Sequence, residues 1–187
     1  MGTMDITNDE YWDERYTSRV GSGIGSMGAL GKLKANYVKA TIEKYDIKSV
    51  LDVGCGDLQW IKKVEIENYV GIDFSNEVVV ANRKLKPDWK FKVQNVSEQP
   101  IKETAELVIC LDVLLHQSNR MKYDFLLDNL MAATEKVILV SGFKDVPEKH
   151  GETLFFYETI YDALDRLHIP FEYGFTCRES DILEGIM

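Results

Sequence analysis

The apolar positions of the chain follow two different periods. Between Leu30 and Tyr45 they recur mostly at steps of three and four residues, which is typical of an amphipathic helix. From residue 49 onwards, short apolar runs predict strands, and stretches of helical period between them predict helices. The strands are expected at Ser49–Val53, Tyr69–Ile72, Trp89–Val93, Glu106–Leu111 and Lys136–Val140. The further helices are expected at Asp57–Lys63, Ser75–Leu85, Arg120–Thr134 and around Ile160 to Leu167.

The order of these elements predicts the fold class. Strands that alternate with helices form a parallel sheet with helices on both faces. Two closing apolar stretches, Phe171–Thr176 and Ile182–Met187, are close enough in sequence to pair as an antiparallel hairpin at the sheet edge. We therefore expect a doubly wound α/β domain, mostly parallel, with a C-terminal antiparallel strand.

Composition narrows the class of protein. The chain has 187 residues, of which 45% are hydrophobic, which suits one domain with its own core. Its net charge of −9 counts against a general nucleic-acid binder. No apolar run reaches the roughly 20 residues of a membrane helix, and the N-terminus lacks the pattern of a signal peptide. Three widely spaced cysteines favour reduced thiols, which are typical of the cytoplasm. Together with the charge and the apolar runs, they lead us to expect a cytoplasmic protein without membrane or nucleic-acid partners.

A glycine-bearing turn follows the first predicted strand. It reads Gly54-Cys55-Gly56-Asp57, and a small molecule is expected against it, with free amides of the following helix as donors. A dinucleotide site would need a third glycine where Gln59 stands, and no P-loop lysine follows. Asp73, at the end of the second strand, can accept hydrogen bonds from both hydroxyls of a ribose. The expected ligand is thus a nucleoside without a pyrophosphate.

At these residues the chain resembles the class I S-adenosylmethionine-dependent methyltransferases. Asp52 to Gly56 looks like their first motif, and Val70 to Asp73 looks like their second. Weaker likeness extends through Gln94-Asn95-Val96 and Leu107 to His116. The resemblance implies S-adenosylmethionine as cofactor. It places the methionine part over the glycines, the ribose at Asp73, the adenine at Asn95 and Val96, and the sulfonium end at Leu111 and Asp112. The positions expected at the cofactor are Trp12, Arg15, Tyr16, Asp52, Gly54, Cys55, Gly56, Asp57, Trp60, Asp73, Phe74, Asn95, Val96 and Leu111.

One departure concerns the turn itself. Many members of the family carry a third glycine where this chain has Leu58. The Gly-Asp-x-x-Trp pattern that ends in Trp60 looks more like small bacterial and phage methyltransferases. Trp60 is then expected beside the cofactor, with a buried structural role as the alternative. Because Leu58 replaces this glycine, a second function stays open, that of a non-catalytic module that binds the cofactor without transferring its methyl group.

The residues after the fourth strand are the candidates for catalysis. A sulfonium methyl is already activated, so the protein mainly aligns a nucleophile, and a base is needed only if that nucleophile must lose a proton. His116 can accept a proton near neutral pH, or it can serve as a hydrogen-bonding loop residue. Asp112 is the second candidate, with a cofactor-side or structural role favoured for it.

The N-terminal segment resembles the lids of small-molecule methyltransferases. Trp12 and Tyr16 would close over the cofactor, and Arg15 would meet its carboxylate. The alternative is an amphipathic helix that packs its rings on the sheet. We expect one domain over residues 1–187, with a lid and helix in residues 1–46 and a cofactor-binding core in residues 47–187.

The acceptor is the least determined part of the prediction. No Asp/Asp/Asn cluster resembles that of metal-dependent catechol methyltransferases, so no metal is expected, and no Asn-Pro-Pro-Tyr motif resembles that of enzymes that methylate DNA bases. We therefore expect methyl transfer to an oxygen or nitrogen of a small molecule. A nucleotide-dependent oxidoreductase is a distant alternative. A homodimer is expected if a partner subunit completes the acceptor pocket.

Overall fold

The computed structural model describes residues 8–18, 20–147, 153–177 and 180–187. Its helices are α1 (Asn8–Thr17), α2 (Gly28–Tyr45), α3 (Asn76–Leu85), α4 (Arg120–Ala133) and α5 (Ile160–Arg166). Its strands are β1 (Ser49–Val53), β2 (Asn68–Asp73), β3 (Lys90–Val93), β4 (Ala105–Cys110), β5 (Thr134–Phe143), β6 (Phe171–Cys177) and β7 (Ser180–Ile186).

All seven strands belong to one sheet, in the order β3-β2-β1-β4-β5-β7-β6. Strands β1 to β5 pair in parallel, whereas β7 pairs antiparallel with both β5 and β6. The predicted fold class is therefore confirmed, including the closing hairpin. The order reverses between β1 and β4, and the crevice at such a point is where open α/β sheets bind ligands.

The sheet is covered on both faces. Alternate side chains of β1 point to opposite sides, so Leu51 and Val53 pack on the side of α4 and α5, while Val50 packs on the side of α2 and α3. Both layers are built mainly from aliphatic side chains, most of them with almost no exposed surface. Within the described part of the chain, no helix is long and apolar enough to cross a membrane.

One predicted element is wrong. The segment Asp57–Lys63 was expected to begin a helix, but it contains a single 3-10 turn at Ile61–Lys63. The backbone explains the difference, because Gly56 and Leu58 have left-handed φ values of 51° and 58°. Two left-handed residues so close together cannot belong to a right-handed helix. The chain after β1 therefore folds back as a compact loop.

Candidate active site

A cavity of about 600 Å³ opens at the C-terminal edge of the parallel strands. Its size is in the range of small-molecule sites. Every residue predicted at the site lines this cavity except Gly56. The switch point thus brings together the glycine turn, Asp73 at the end of β2, His116 beyond β4 and the aromatic face of α1.

The two glycines of the turn are required by the protein's own packing. Both have positive φ values, 73° at Gly54 and 51° at Gly56. A Cβ atom on Gly54 would lie 2.4 Å from Cγ2 of Val113, and one on Gly56 would lie 2.4 Å from Oγ of Ser22. Gly56 is therefore covered by the N-terminal segment, which explains why it does not line the cavity.

The backbone amides of the turn already have acceptors. Gly54 and Cys55 both donate to the carbonyl of Ile72, at 2.8 Å and 3.0 Å. Gly56 donates to Oδ2 of Asp73 at 2.9 Å, and Asp57 donates to Oγ of Ser22 at 3.3 Å. The expectation that free amides would hold the ligand is therefore wrong, because no helix begins at this turn.

Asp73 links the turn to the start of α3. Its carboxylate is buried and accepts hydrogen bonds from the amides of Gly56 and Ser75, at 2.9 Å and 3.0 Å. Burial raises the pKa of Asp73 to about 6, although both amide bonds oppose the shift. A carboxylate has about four acceptor positions, so two are left for the hydroxyls of a ligand.

Asp52 is a second buried carboxylate in the cavity wall. It accepts a hydrogen bond from the hydroxyl of Tyr69 at 2.7 Å. Burial raises the pKa of Asp52 to about 7 and is the largest effect. The hydrogen bond from Tyr69 and the charge of Lys34 lower this pKa, whereas the charge of Asp73 raises it further. The floor of the site thus holds two carboxylates that are poorly solvated.

The loop after β4 is held in a strained conformation at Asp112. This residue has a left-handed φ of 61°, and its amide donates to Oγ of Ser141 at 2.7 Å. Its Oδ2 atom accepts a hydrogen bond from the ammonium of Lys34 at 2.6 Å. Sequence reasoning missed Lys34 and Ser141. Lys34 lies on the buried stripe of α2 one turn before Val38, and a lysine in that stripe was the available signal.

His116 follows on the same loop, in a 3-10 turn at Leu114–His116. Its Nδ1 lies 2.7 Å from the carbonyl oxygen of Thr153. A carbonyl only accepts, so Nδ1 carries the proton and Nε2 is the nitrogen that can take one. Burial lowers the pKa of His116, which favours the neutral ring, and Trp12 packs edge-on against it with centroids 5.0 Å apart.

Helix α1 and the glycine loop after it form one wall of the cavity. Nε and Nη2 of Arg15 donate to the carbonyl of Gly21 at 3.2 Å and 3.1 Å, and Nη1 donates to Oη of Tyr11. The Arg15 guanidinium also lies over the ring of Trp12. Three of its five N–H groups are used by these bonds. The predicted role of Arg15 as a carboxylate ligand remains a prediction, and the structure adds a role in joining the helix to its loop.

The glycine loop is attached directly to the turn after β1. Oγ of Ser22 donates to Oδ1 of Asp57 at 2.7 Å, and the amide of Ser22 lies 3.3 Å from Oδ2 of the same carboxylate. Oη of Tyr16 lies 3.3 Å from Oγ of Ser22. Asp57 was predicted at the cofactor, and here its carboxylate also anchors the N-terminal segment. Ser22 is a third residue that sequence reasoning missed.

The other end of the cavity lies beyond β2 and β3. Val96 is buried in its wall, and Asn95 accepts a hydrogen bond from the amide of Ser97 at 3.2 Å. Phe74 and Trp60 are half-buried, and Trp60 also packs against α2 at Gly31. Both predicted roles of Trp60 are therefore compatible with its position. Among the described residues, no group of three or more His, Cys, Asp or Glu is placed to hold a metal ion.

Comparison with known families gives the same grouping. Residues 51–124 match the model of a family described as a methyltransferase domain. Over these residues the chain is similar to a methyltransferase domain. The resemblance predicted from the first two motifs is thereby confirmed, as is the prediction of a methyltransferase. The likeness to the small bacterial and phage type remains a prediction.

Solved structures share the fold of this chain. Magnesium protoporphyrin IX methyltransferase from Synechocystis PCC 6803 with bound S-adenosylhomocysteine is 18% identical, with a TM-score of 0.69 over 95% of this chain and 97% of that one. The DhpI complex with S-adenosylhomocysteine is 11% identical, with a TM-score of 0.67 over 98% of each chain. N-methyltransferase NodS from Bradyrhizobium japonicum WM9 is 13% identical, with a TM-score of 0.64 over 81% of this chain and 92% of that one. Comparison with curated protein sequences gives no match.

Proposed function

We propose that this domain transfers a methyl group from S-adenosylmethionine to an oxygen or nitrogen atom of a small molecule. The observation that carries the proposal is a single cavity that joins the glycine turn and Asp73 to His116. Structures of the same fold that contain S-adenosylmethionine or S-adenosylhomocysteine support the cofactor. Neighbours that are named as a protoporphyrin methyltransferase and an N-methyltransferase support a small acceptor.

The residues around the cavity fit this cofactor. Asp73 retains two acceptor positions for ribose hydroxyls, and the half-buried Asn95 with Val96 would border the adenine. Arg15 retains two N–H groups that would bind the carboxylate of the methionine end. When bound, S-adenosylmethionine supplies an electrophilic methyl group, and its sulfur keeps the electron pair of the C–S bond that breaks.

His116 would supply the base. An acceptor hydroxyl or amine becomes a better nucleophile as it loses its proton, and Nε2 of His116 takes that proton while the acceptor atom bonds to the methyl carbon. The carbonyl of Thr153 holds the proton on Nδ1, so the lone pair of the neutral ring is on Nε2. Trp12 packs against the ring, so the base is held in one orientation on the acceptor side.

Leu58 is one of the grounds for the alternative of a non-catalytic module. In the structure Leu58 has the left-handed φ of 58° that a glycine would adopt, and its side chain is 1% exposed in the core beside Ile61. It does not line the cavity. The substitution therefore leaves the shape of the binding site unchanged, and it gives no reason to expect binding without turnover.

Titration calorimetry and a turnover assay test the proposal. S-adenosylmethionine and S-adenosylhomocysteine should bind saturably, and a panel of hydroxyl and amine metabolites should contain an acceptor that releases S-adenosylhomocysteine. His116→Asn should reduce turnover by about 100- to 10,000-fold while leaving the affinity for S-adenosylhomocysteine within about twofold. The exposed His168, changed to Asn, is the matched control and should keep full activity.

Two results would contradict the proposal. Absence of saturable binding of both compounds at millimolar concentration would remove the cofactor. Full turnover in His116→Asn would remove His116 as the base and leave the proposed methyl transfer without that residue's help. Binding without methylated product over the whole panel would favour the module that binds but does not transfer.

A further inference from the structure

A buried cation lies directly behind the wall of the cavity. The side chain of Lys34 is 1% exposed, and its ammonium donates to Oδ2 of Asp112 at 2.6 Å. Lys34 also acts on Asp52, whose pKa it lowers. Asp52 and Asp112 line the cavity, whereas Lys34 does not. The ammonium therefore lies behind the cavity wall, next to Asp112 and close to Gly25, which also lines the cavity.

The ion pair of Lys34 and Asp112 is asymmetric. The Asp112 side chain is 30% exposed, compared with 1% for its partner. Burial of an ammonium is costly, and an apolar side chain of similar volume is often at least as stabilising at such a position. Val38, one turn further along α2, is an apolar side chain buried in the same stripe. Packing alone thus gives no reason for a lysine here.

Asp112 lies between the two ends of the proposed reaction. The next residue, Val113, packs on Gly54 of the glycine turn, where a Cβ atom would lie 2.4 Å from its Cγ2. Three residues further on, His116 also lines the cavity. If the cofactor lies on the turn and the base is His116, the transferred methyl group lies between them. The charge on Asp112 is then close to the reacting atoms.

We propose that Lys34 is a positioning residue that compensates the charge of Asp112 beside the site of methyl transfer. The inference rests on the proposed function. An uncompensated carboxylate would stabilise a bound sulfonium more than the transition state, in which the sulfur is losing its positive charge, and catalysis requires the opposite preference. Lys34 removes this unfavourable preference, while Ser141 and Lys34 together hold the loop in its strained conformation.

The test uses two ligands that differ by one methyl group and one positive charge. Affinities for S-adenosylmethionine and S-adenosylhomocysteine are measured by calorimetry for the wild-type protein, Lys34→Met, Asp112→Asn and the double variant. At pH 8.5 Asp52, with a pKa of about 7, is largely ionised in the wild-type protein. The quantity compared is the affinity for S-adenosylmethionine divided by the affinity for S-adenosylhomocysteine, measured in each protein.

The single variants should move this ratio in opposite directions. Lys34→Met leaves a bare carboxylate and should favour the sulfonium by about five- to tenfold, the size expected for charges several ångströms apart in a partly wet site. Asp112→Asn leaves a bare ammonium and should disfavour the sulfonium by a similar factor. The double variant should return to the wild-type ratio. Lys39→Met, an exposed lysine on the same helix, is the control and should leave the ratio unchanged.

A purely structural role would weaken both ligands equally, and an unchanged ratio in the single variants would overturn the inference. Shifts in the same direction for Lys34→Met and Asp112→Asn would also overturn it. If Lys34→Met does not fold, Asp112→Asn tests the same claim, since its ratio must fall. Failure of the wild-type protein to bind either ligand would instead contradict the proposed function, so the two failures are distinguishable.

Discussion

The buried carboxylate of Asp52 should lower the stability of the folded protein at neutral pH. It lies in the floor of the cavity with little solvent and a single hydrogen bond, from Tyr69 at 2.7 Å. Asp52→Asn removes the ionisable group but keeps an amide oxygen that can accept the same bond. We therefore expect this substitution to stabilise the protein and to do so increasingly as the pH rises.

The magnitude follows from the shift in pKa. Burial raises the pKa of Asp52 from 3.8 to about 7, so the folded state holds this proton more tightly than the unfolded chain does. Such a group makes stability fall with rising pH between the two pKa values. Each pH unit in this interval corresponds to about 1.4 kcal/mol, so the wild-type protein should lose about 3 kcal/mol through this group from pH 5 to pH 8.5. The variant lacks this loss.

Urea unfolding at pH 5 and pH 8.5 measures the effect. The free energy of unfolding of Asp52→Asn, minus that of the wild-type protein, should increase by about 3 kcal/mol between the two pH values. Asp128→Asn, on the exposed side of α4, controls for the loss of one surface charge. A difference that is equal at both pH values, or that decreases with pH, would refute the reasoning about burial.

Three further predictions concern the turn. Asp73→Asn should weaken the binding of S-adenosylhomocysteine by about 1 to 3 kcal/mol, measured by calorimetry. The reason is that an amide cannot accept hydrogen bonds from both backbone donors and from the ribose. An equal affinity would contradict the assignment of Asp73. Gly56→Ala should lower stability by at least about 1 kcal/mol, since its Cβ meets Ser22 and its φ is positive; an unchanged melting temperature would disprove the contact. Leu58→Gly should lower the free energy of unfolding by about 1 to 4 kcal/mol, because relief of backbone strain does not offset the lost apolar burial; a gain in stability would show that strain dominates.

Local patterns were sufficient to predict the fold. The strands of a parallel sheet that is covered on both faces are short apolar runs, and these are visible in the sequence without knowledge of their partners. The helix bounds at Leu30–Tyr45 and Ser75–Leu85 differ from α2 and α3 by two residues or fewer. The error at Asp57–Lys63 arose because a leucine gives no sign that it adopts a left-handed conformation, which glycine would have signalled.

The site was only partly predictable. Gly54, Gly56 and Asp73 could be recognised from the sequence, because they directly follow or end predicted parallel strands, where open α/β sheets bind ligands. Lys34 and Asp112 are 78 residues apart in the chain, and nothing local to either one indicates the other. Ser22 was equally hidden, because its contact with Asp57 depends on how the N-terminal segment folds over the turn. Pairing between distant polar groups is a property of tertiary structure, and hydrophobic periodicity carries no information about it.

The contact that fixes the proton on His116 comes from a main-chain oxygen. Residue 153 presents this carbonyl whichever side chain it bears, and the neighbouring amide of Phe155 binds the carbonyl of Leu115 at 2.9 Å. A change of side chain at residue 153 therefore leaves the group that holds the proton on Nδ1 in place. If His116 is the base as proposed, main-chain atoms of this segment set its tautomer, whereas a side chain of the same segment, Leu154, shapes the cavity.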